Sequence, residues 1–108
     1  MDVRDVARSH VDALTNPAAA NQRILLISGL ISPQLVANTI RKRFPALRDR
    51  VPEGAPSQIL PPGVHPTGWD MRVSLDILAN GKEGKWDYKD LETSVVDTVQ
   101  SMIGYRVI

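Results

Sequence analysis

Arg23-Ile24-Leu25-Leu26-Ile27-Ser28-Gly29 is the stretch on which the fold class turns. Ile24 to Ile27 are apolar at four consecutive positions, so no polar face is left. An unbroken apolar run suits a strand covered on both sides, as in a parallel sheet buried between helices. A strand cannot stand alone, so neighbouring strands are expected with it. The expected class is α/β.

The residues around this stretch read as helices. Downstream, Ser32 is a good N-cap and Pro33 is well placed at the first helical position. Leu35, Val36, Thr39, Ile40 and Phe44 then share one side, and Pro45 ends the helix. Strand, turn and capped helix make half of a β-α-β type unit. Upstream, Val3, Val6, Ala7, His10, Val11 and Leu14 recur at spacings of three and four, the signature of one helix face. Asp5 suits an N-cap or first-turn carboxylate, Asn16-Pro17 ends the helix, and residues 18–22 connect it to the apolar run. A last helix follows Asp90 as N-cap, with Leu91, Val95, Thr98, Val99 and Met102 on one face, Val96 and Ile103 at its edge, and Gly104 as the C′ residue.

Residues 46–70 are harder to order. Pro52, Pro56, Pro61, Pro62 and Pro66 punctuate them, and a long irregular stretch of this kind often serves function or docking. Gln58–Leu60 and Arg72–Leu75 read as short strands, Leu75–Ala79 as a helical turn, and Asn80-Gly81 as a turn. The expected inventory is about three helices, one clear buried strand and one or two short strands.

Length and composition bound the function. With 108 residues there is room for one small domain, whose margin of stability is thin. The net charge of +1 gives no support to nucleic-acid or membrane-surface binding. The short basic run Arg41-Lys42-Arg43 fits a solvated helix end better than a phosphate site. The absence of cysteine excludes disulfides and thiolate chemistry and agrees with a reducing compartment. No apolar run spans a bilayer and no signal pattern opens the chain, so a cytoplasmic location is expected.

Chemistry-bearing motifs are scarce. His10 falls on the apolar helix face and reads as a partly buried core histidine; His65 sits in the proline-rich stretch with no carboxylate patterned nearby. No metal-ligand spacing, glycine-rich phosphate loop or nucleophile elbow occurs. The carboxylates lie at helix starts or on polar faces, where capping and solubility account for them. Trp86 and Tyr88 alternate around Asp87 and so share one face of an extended segment, which fits anchoring of the last helix.

Four segments in order resemble one family, the extended short-chain dehydrogenases/reductases of NAD-dependent epimerase/dehydratase type. DVRDVARSHVDAL (2–14) resembles the family pattern VDVRDVAxAHVxAL. RILLISG with SPQLVANTIRKRFP (23–29 and 32–45) resembles the strand and helix that follow it. RFPALRDRVPEGAP (43–56) resembles the next passage, and DYKDLETSVVDTVQSMI (87–103) the terminal helix, most specifically at Leu91, Glu92, Val95, Val96, Asp97, Thr98 and Val99. The nearest branch holds fungal aldehyde and ketone reductases, dihydroflavonol reductases and cinnamoyl-CoA reductases. SLDILANGKEG (74–84) departs from it, keeping Asp76 and Gly84 but not the family's Ser-Lys.

The resemblance implies the C-terminal part of a Rossmann-type extended reductase. Residues 1–45 would close the nucleotide-binding fold and begin the small domain. Residues 46–108 would form the substrate-side small domain with its terminal helix, contacting substrate between Gly54 and Trp69. The parent would reduce an aldehyde or ketone with NADP(H). This chain has neither the glycine-rich cofactor turn nor the Tyr-x-x-x-Lys pair, since Glu92 stands where Tyr88 would need its lysine. No catalytic, cofactor-binding or metal residue is therefore assigned, and no cofactor is expected on the chain alone. The N-terminal MDVRDVA would then start partway along a longer enzyme, as a truncation or a gene model begun at an internal methionine. The alternative is a non-catalytic interaction module that docks, or self-associates, through its exposed strand and helix faces.

Overall fold

The computed structural model describes residues 1–70, 72–79 and 86–108. Among them stand four α-helices, α1 (Val3–Thr15), α2 (Pro33–Arg43), α3 (Arg72–Leu78) and α4 (Leu91–Gly104), with 3-10 turns at Pro17–Ala19 and Pro45–Arg50. The α/β expectation is overturned: no strand occurs among the described residues, and residues 22–32 carry no regular structure. The reason lies in what an apolar run can signal. It reports affinity for a nonpolar surface, but a strand also needs a second backbone to complete its ladder. Here Ile24 and Leu26 are half-buried while Leu25 between them is 50 % exposed, so one side of the run is covered and not both. Gln58–Leu60 is likewise irregular, and Arg72–Leu75 is helix α3. Asn80-Gly81 and Gly84 lie outside the described residues.

The chain divides into two compact units that interleave in sequence: residues 1–29 with 68–90, and residues 30–67 with 91–108. In the first unit, α1, the Pro17–Ala19 turn and α3 pack on one another. Its apolar centre is Leu78 with Ala79, beside the buried Ser74. Asn16 ends α1 in extended conformation and performs two tasks. Its Oδ1 accepts the Ala18 N–H at 3.0 Å, capping the 3-10 turn, and its Nδ2 donates to the Ile77 carbonyl of α3.

In the second unit, α2 packs against α4 and against the Pro45–Arg50 turn. Val95 and Val99 of α4 are its buried apolar residues. The start of α2 is as expected: the Ser32 hydroxyl accepts the Leu35 N–H at 3.2 Å and Pro33 occupies the first turn. Gln34 then pins the following loop, accepting the Ala55 N–H at 3.0 Å and donating to the Glu53 carbonyl at 2.8 Å. Asn38 donates to the Pro56 carbonyl at 2.9 Å. The basic run has internal work. Arg41 donates to the Arg48 and Val51 carbonyls at 2.7 and 2.6 Å, and Arg48 returns a bond to the Arg41 carbonyl at 2.9 Å. Arg43 and Lys42 reach Glu92 of α4 at 3.2 and 3.7 Å, exposed pairs of small individual weight.

Helix α4 closes two residues later than a C′ position at Gly104 implies. Gly104 is its last helical residue, and Arg106 takes the left-handed conformation at φ 56°. The Arg106 N–H bonds the Ile103 carbonyl and the Val107 N–H the Met102 carbonyl, a Schellman closure built without glycine at the left-handed position.

Gly54 shows where glycine is required. Its φ is +63°, and a Cβ there would run into the Gln34 side-chain amide. Gly54→Ala is expected to destabilise the second unit by about 1–2 kcal/mol, through backbone strain plus the lost Gln34 bonds. Chemical denaturation of the variant checks this; an unchanged midpoint would refute the role given to Gln34.

Candidate functional site

Helix α1 is amphipathic as the spacing predicts, but its faces are reversed. The apolar side is solvent-exposed: Val3, Val11 and Leu14 are 78, 63 and 86 % exposed. The polar side is buried, with Asp5, Ser9 and Asp12 at 2, 3 and 8 %. Together with the N-cap Asp2, these residues recur at three- and four-residue steps and form one stripe. Burying carboxylates is unfavourable unless donors meet them.

Donors do meet them, from the segment 86–90. Asp5 Oδ2 accepts the Lys89 backbone N–H at 2.8 Å, and Lys89 Nζ stands 3.7 Å from Asp5 Oδ1. Asp12 Oδ2 accepts the Trp86 indole N–H at 3.0 Å and lies 3.8 Å from Arg8 Nε. The Arg8 guanidinium stacks 4.5 Å above the Trp86 ring, a cation–π contact. Trp86 in turn meets Tyr88 edge-on, with centroids 5.6 Å apart. The Tyr88 hydroxyl and the Ser74 hydroxyl of α3 are 2.7 Å apart. At the helix start, Asp2 caps the Arg4 N–H at 2.9 Å and takes two bonds from the Arg4 guanidinium at 2.8 and 2.9 Å.

Chemically, this network is a joint. Each carboxylate is engaged by hydrogen-bond donors, and among the described residues no group of three or more His, Asp or Glu could hold a metal ion. Trp86 and Tyr88 do share a face, as their alternation implies, but Trp86 anchors to α1. His10 is exposed, and its Nδ1 lies 2.8 Å from the Val6 carbonyl, so the expectation of a core histidine is corrected. His65 is exposed too, apart from the network. Asp5, by sequence an N-cap or first-turn carboxylate, does stand in the first turn of α1, and Asp12 reads from sequence as a helix-start or polar-face carboxylate; both are buried and help hold this unit together. Their signal was present as the polar stripe, but periodicity separates two faces without saying which one turns inward.

Among the described residues, the starts of α1, α2 and α3 are not glycine-rich turns of the kind that hold a dinucleotide pyrophosphate. A pyrophosphate binds where a glycine-rich turn exposes a helix N-terminus. Here α1 opens on the Asp2 carboxylate, α2 on Ser32-Pro33, and the Arg72 N–H of α3 is taken by Asp70 at 3.1 Å. Carboxylates at two of these ends repel an anion.

The chain is similar in sequence to several reductases. A ketoreductase of Aspergillus niger is 36 % identical over 103 residues, and a Candida albicans protein named for NADPH-dependent methylglyoxal reduction is 41 % identical over 107. This chain is similar to reductases along nearly its whole length. The NADPH-dependent methylglyoxal reductase of Saccharomyces cerevisiae aligns as well, at 25 % identity over 98 % of the chain. The alignments take in 95 and 96 % of this chain for the first two relatives, yet only 28 and 29 % of the relatives themselves. No family model and no solved structure matches it. Among the described residues, no helix is long and apolar enough to cross a membrane.

Proposed function

We propose that these residues are the C-terminal part of an extended short-chain dehydrogenase/reductase. The whole polypeptide would reduce an aldehyde or ketone with NADPH, in the cytoplasm, and the 108 residues alone are inactive. One observation carries this reading. The chain aligns along nearly its full length with reductases of which it spans 28–29 %. Inactivity rests on the missing glycine-rich turn and Tyr-x-x-x-Lys pair, and on the acidic helix starts described above. When bound to the whole protein, NADPH supplies the hydride; nothing in this chain is assigned a part in that transfer.

A second reading is favoured by the reversed α1. Its exposed apolar stripe suits a non-catalytic module that docks through this helix face. One experiment addresses both. The purified chain is assayed for NADPH binding and methylglyoxal reduction, alone and co-expressed with the part of the Aspergillus niger ketoreductase that lies outside the aligned region. The expected result is no activity alone and measurable activity after co-expression. Turnover by the chain alone would overturn the inactive-segment reading. Failure of co-expression, with concentration-dependent self-association abolished by Leu14→Ser, would favour docking.

A further inference from the structure

In the second unit, the end of α2 and the loop after it enclose an open pocket of about 440 Å³, lined by Asn38, Arg41, Lys42, Arg48, Glu53 and Pro56. Among these described residues, three cations face one carboxylate. Sequence spacing favours a solvated helix end for Arg41-Lys42-Arg43, because it does not show that the chain folds Arg48 back onto Arg41. The two arginines clasp each other: Arg41 Nη1 donates to the Arg48 and Val51 carbonyls, and Arg48 Nε donates to the Arg41 carbonyl. This covers carbonyl oxygens that would otherwise repel an anion at a helix C-terminus. It also holds two like-charged guanidiniums at one pocket, where an anion relieves their repulsion. Among the described residues, the terminal Nη groups of Arg48 meet no partner. Lys42 is exposed, with Nζ 3.7 Å from Glu92. Glu53 stands 3.9 Å from Arg41 Nη2 with its side chain 68 % exposed, a loose contact that offsets the cations only weakly.

We propose that this pocket binds the phosphate monoester of a small hydroxyl-bearing molecule, a sugar phosphate in chemical class. The Arg48 fork and the Lys42 ammonium take the phosphate oxygens, and Arg41 stands behind them as a charge fixed by its backbone bonds. A cleft lined mostly by one sign of charge concentrates counter-ions of the other. The volume lies within the range of about 300–1,000 Å³ usual for small-molecule sites, more than one phosphate group fills. Beyond the cations the walls are Asn38, Glu53 and the Pro56 ring. A carboxylate accepts hydroxyl protons, so Glu53 favours a hydroxylated body over a hydrocarbon one. The proposal stands independently of the reductase reading, because neither a carbonyl substrate nor a nicotinamide enters it.

The probe is glucose 6-phosphate, titrated at constant ionic strength against the amide spectrum of the full chain. Saturable shifts are expected at residues 38–42 and 48–56, with glucose causing none and inorganic phosphate binding more weakly. Lys42→Ala and Arg48→Ala are each expected to weaken binding roughly three- to tenfold. Lys42 takes no part in the clasp, so its variant decides the matter if Arg48→Ala disturbs the turn. Glu53→Gln keeps an acceptor for hydroxyls but removes the competing charge, and is expected to tighten binding about twofold. Arg50→Ala deletes an exposed cation outside the lining and is expected to leave the affinity unchanged. Vesicles carrying phosphatidylinositol 4-phosphate distinguish the source: retention of the chain assigns the phosphate to a lipid headgroup, and no retention assigns it to a soluble sugar phosphate. The proposal is overturned by the absence of saturable shifts, by unchanged affinity in Lys42→Ala, by equal loss in Arg50→Ala, or by glucose binding as well as its phosphate.

Discussion

Leu78→Ala will unfold the first unit at a much lower denaturant concentration than the native chain requires. Leu78 is 1 % exposed and stands at the centre of α1, the Pro17–Ala19 turn and α3. Truncating a buried leucine removes its transfer free energy and leaves a cavity, costing about 2–5 kcal/mol. A unit of about fifty residues has a total stability of only about 3–8 kcal/mol. The loss is therefore comparable to everything that holds the unit folded. Both tryptophans, Trp69 and Trp86, belong to this unit, so indole emission reports it selectively. The expected result is a red-shifted emission at low denaturant. A midpoint displaced by less than the equivalent of about 1 kcal/mol would show that Leu78 is not the keystone.

Asp12→Ala is the second large effect. It deprives the Trp86 indole N–H of its acceptor and removes the carboxylate beside Arg8. Leaving one buried donor unpaired costs about 1–3 kcal/mol, and breaking the charge contact adds to it. Asp12→Asn separates the two contributions, since its amide oxygen can still accept the indole proton while the charge is gone. The expected order of stability is native, then Asp12→Asn, then Asp12→Ala. Asp49→Ala, at an exposed position, serves as the control and is expected to change stability by no more than about 0.5 kcal/mol. If Asp12→Ala melts with the control, the joint between α1 and the 86–90 segment contributes nothing and the assignment fails.

The joint also explains how α1 can present Val3, Val11 and Leu14 to solvent. Hydrophobic burial would turn the helix over. The competing term is the set of bonds from Lys89, Trp86 and Arg8 to the carboxylates, which exists only with the polar face inward. The exposed stripe gives the docking reading its surface, and the relatives' greater length gives the reductase reading a source for the cover.

Local signals read well in advance. Ser32-Pro33 opens α2, Asn16 closes α1, and the periodic residues after Asp90 form α4. Each depends on a few neighbouring residues, whose capping bonds and steric limits travel with the chain. The likeness to reductases was legible in the same way, through ordered short motifs. The RILLISG stretch was not. Its apolar character stood in the sequence, but whether it joins a ladder depends on a second backbone that no neighbouring residue supplies. The inward turn of Asp5 and Asp12 was hidden for the same reason. Their donors lie more than seventy residues away along the chain, at Trp86 and Lys89. Capping, periodicity and family likeness are thus written in contiguous residues. Strand pairing and the buried face of α1 arise from which distant segments meet, because burial and hydrogen bonding are decided between surfaces.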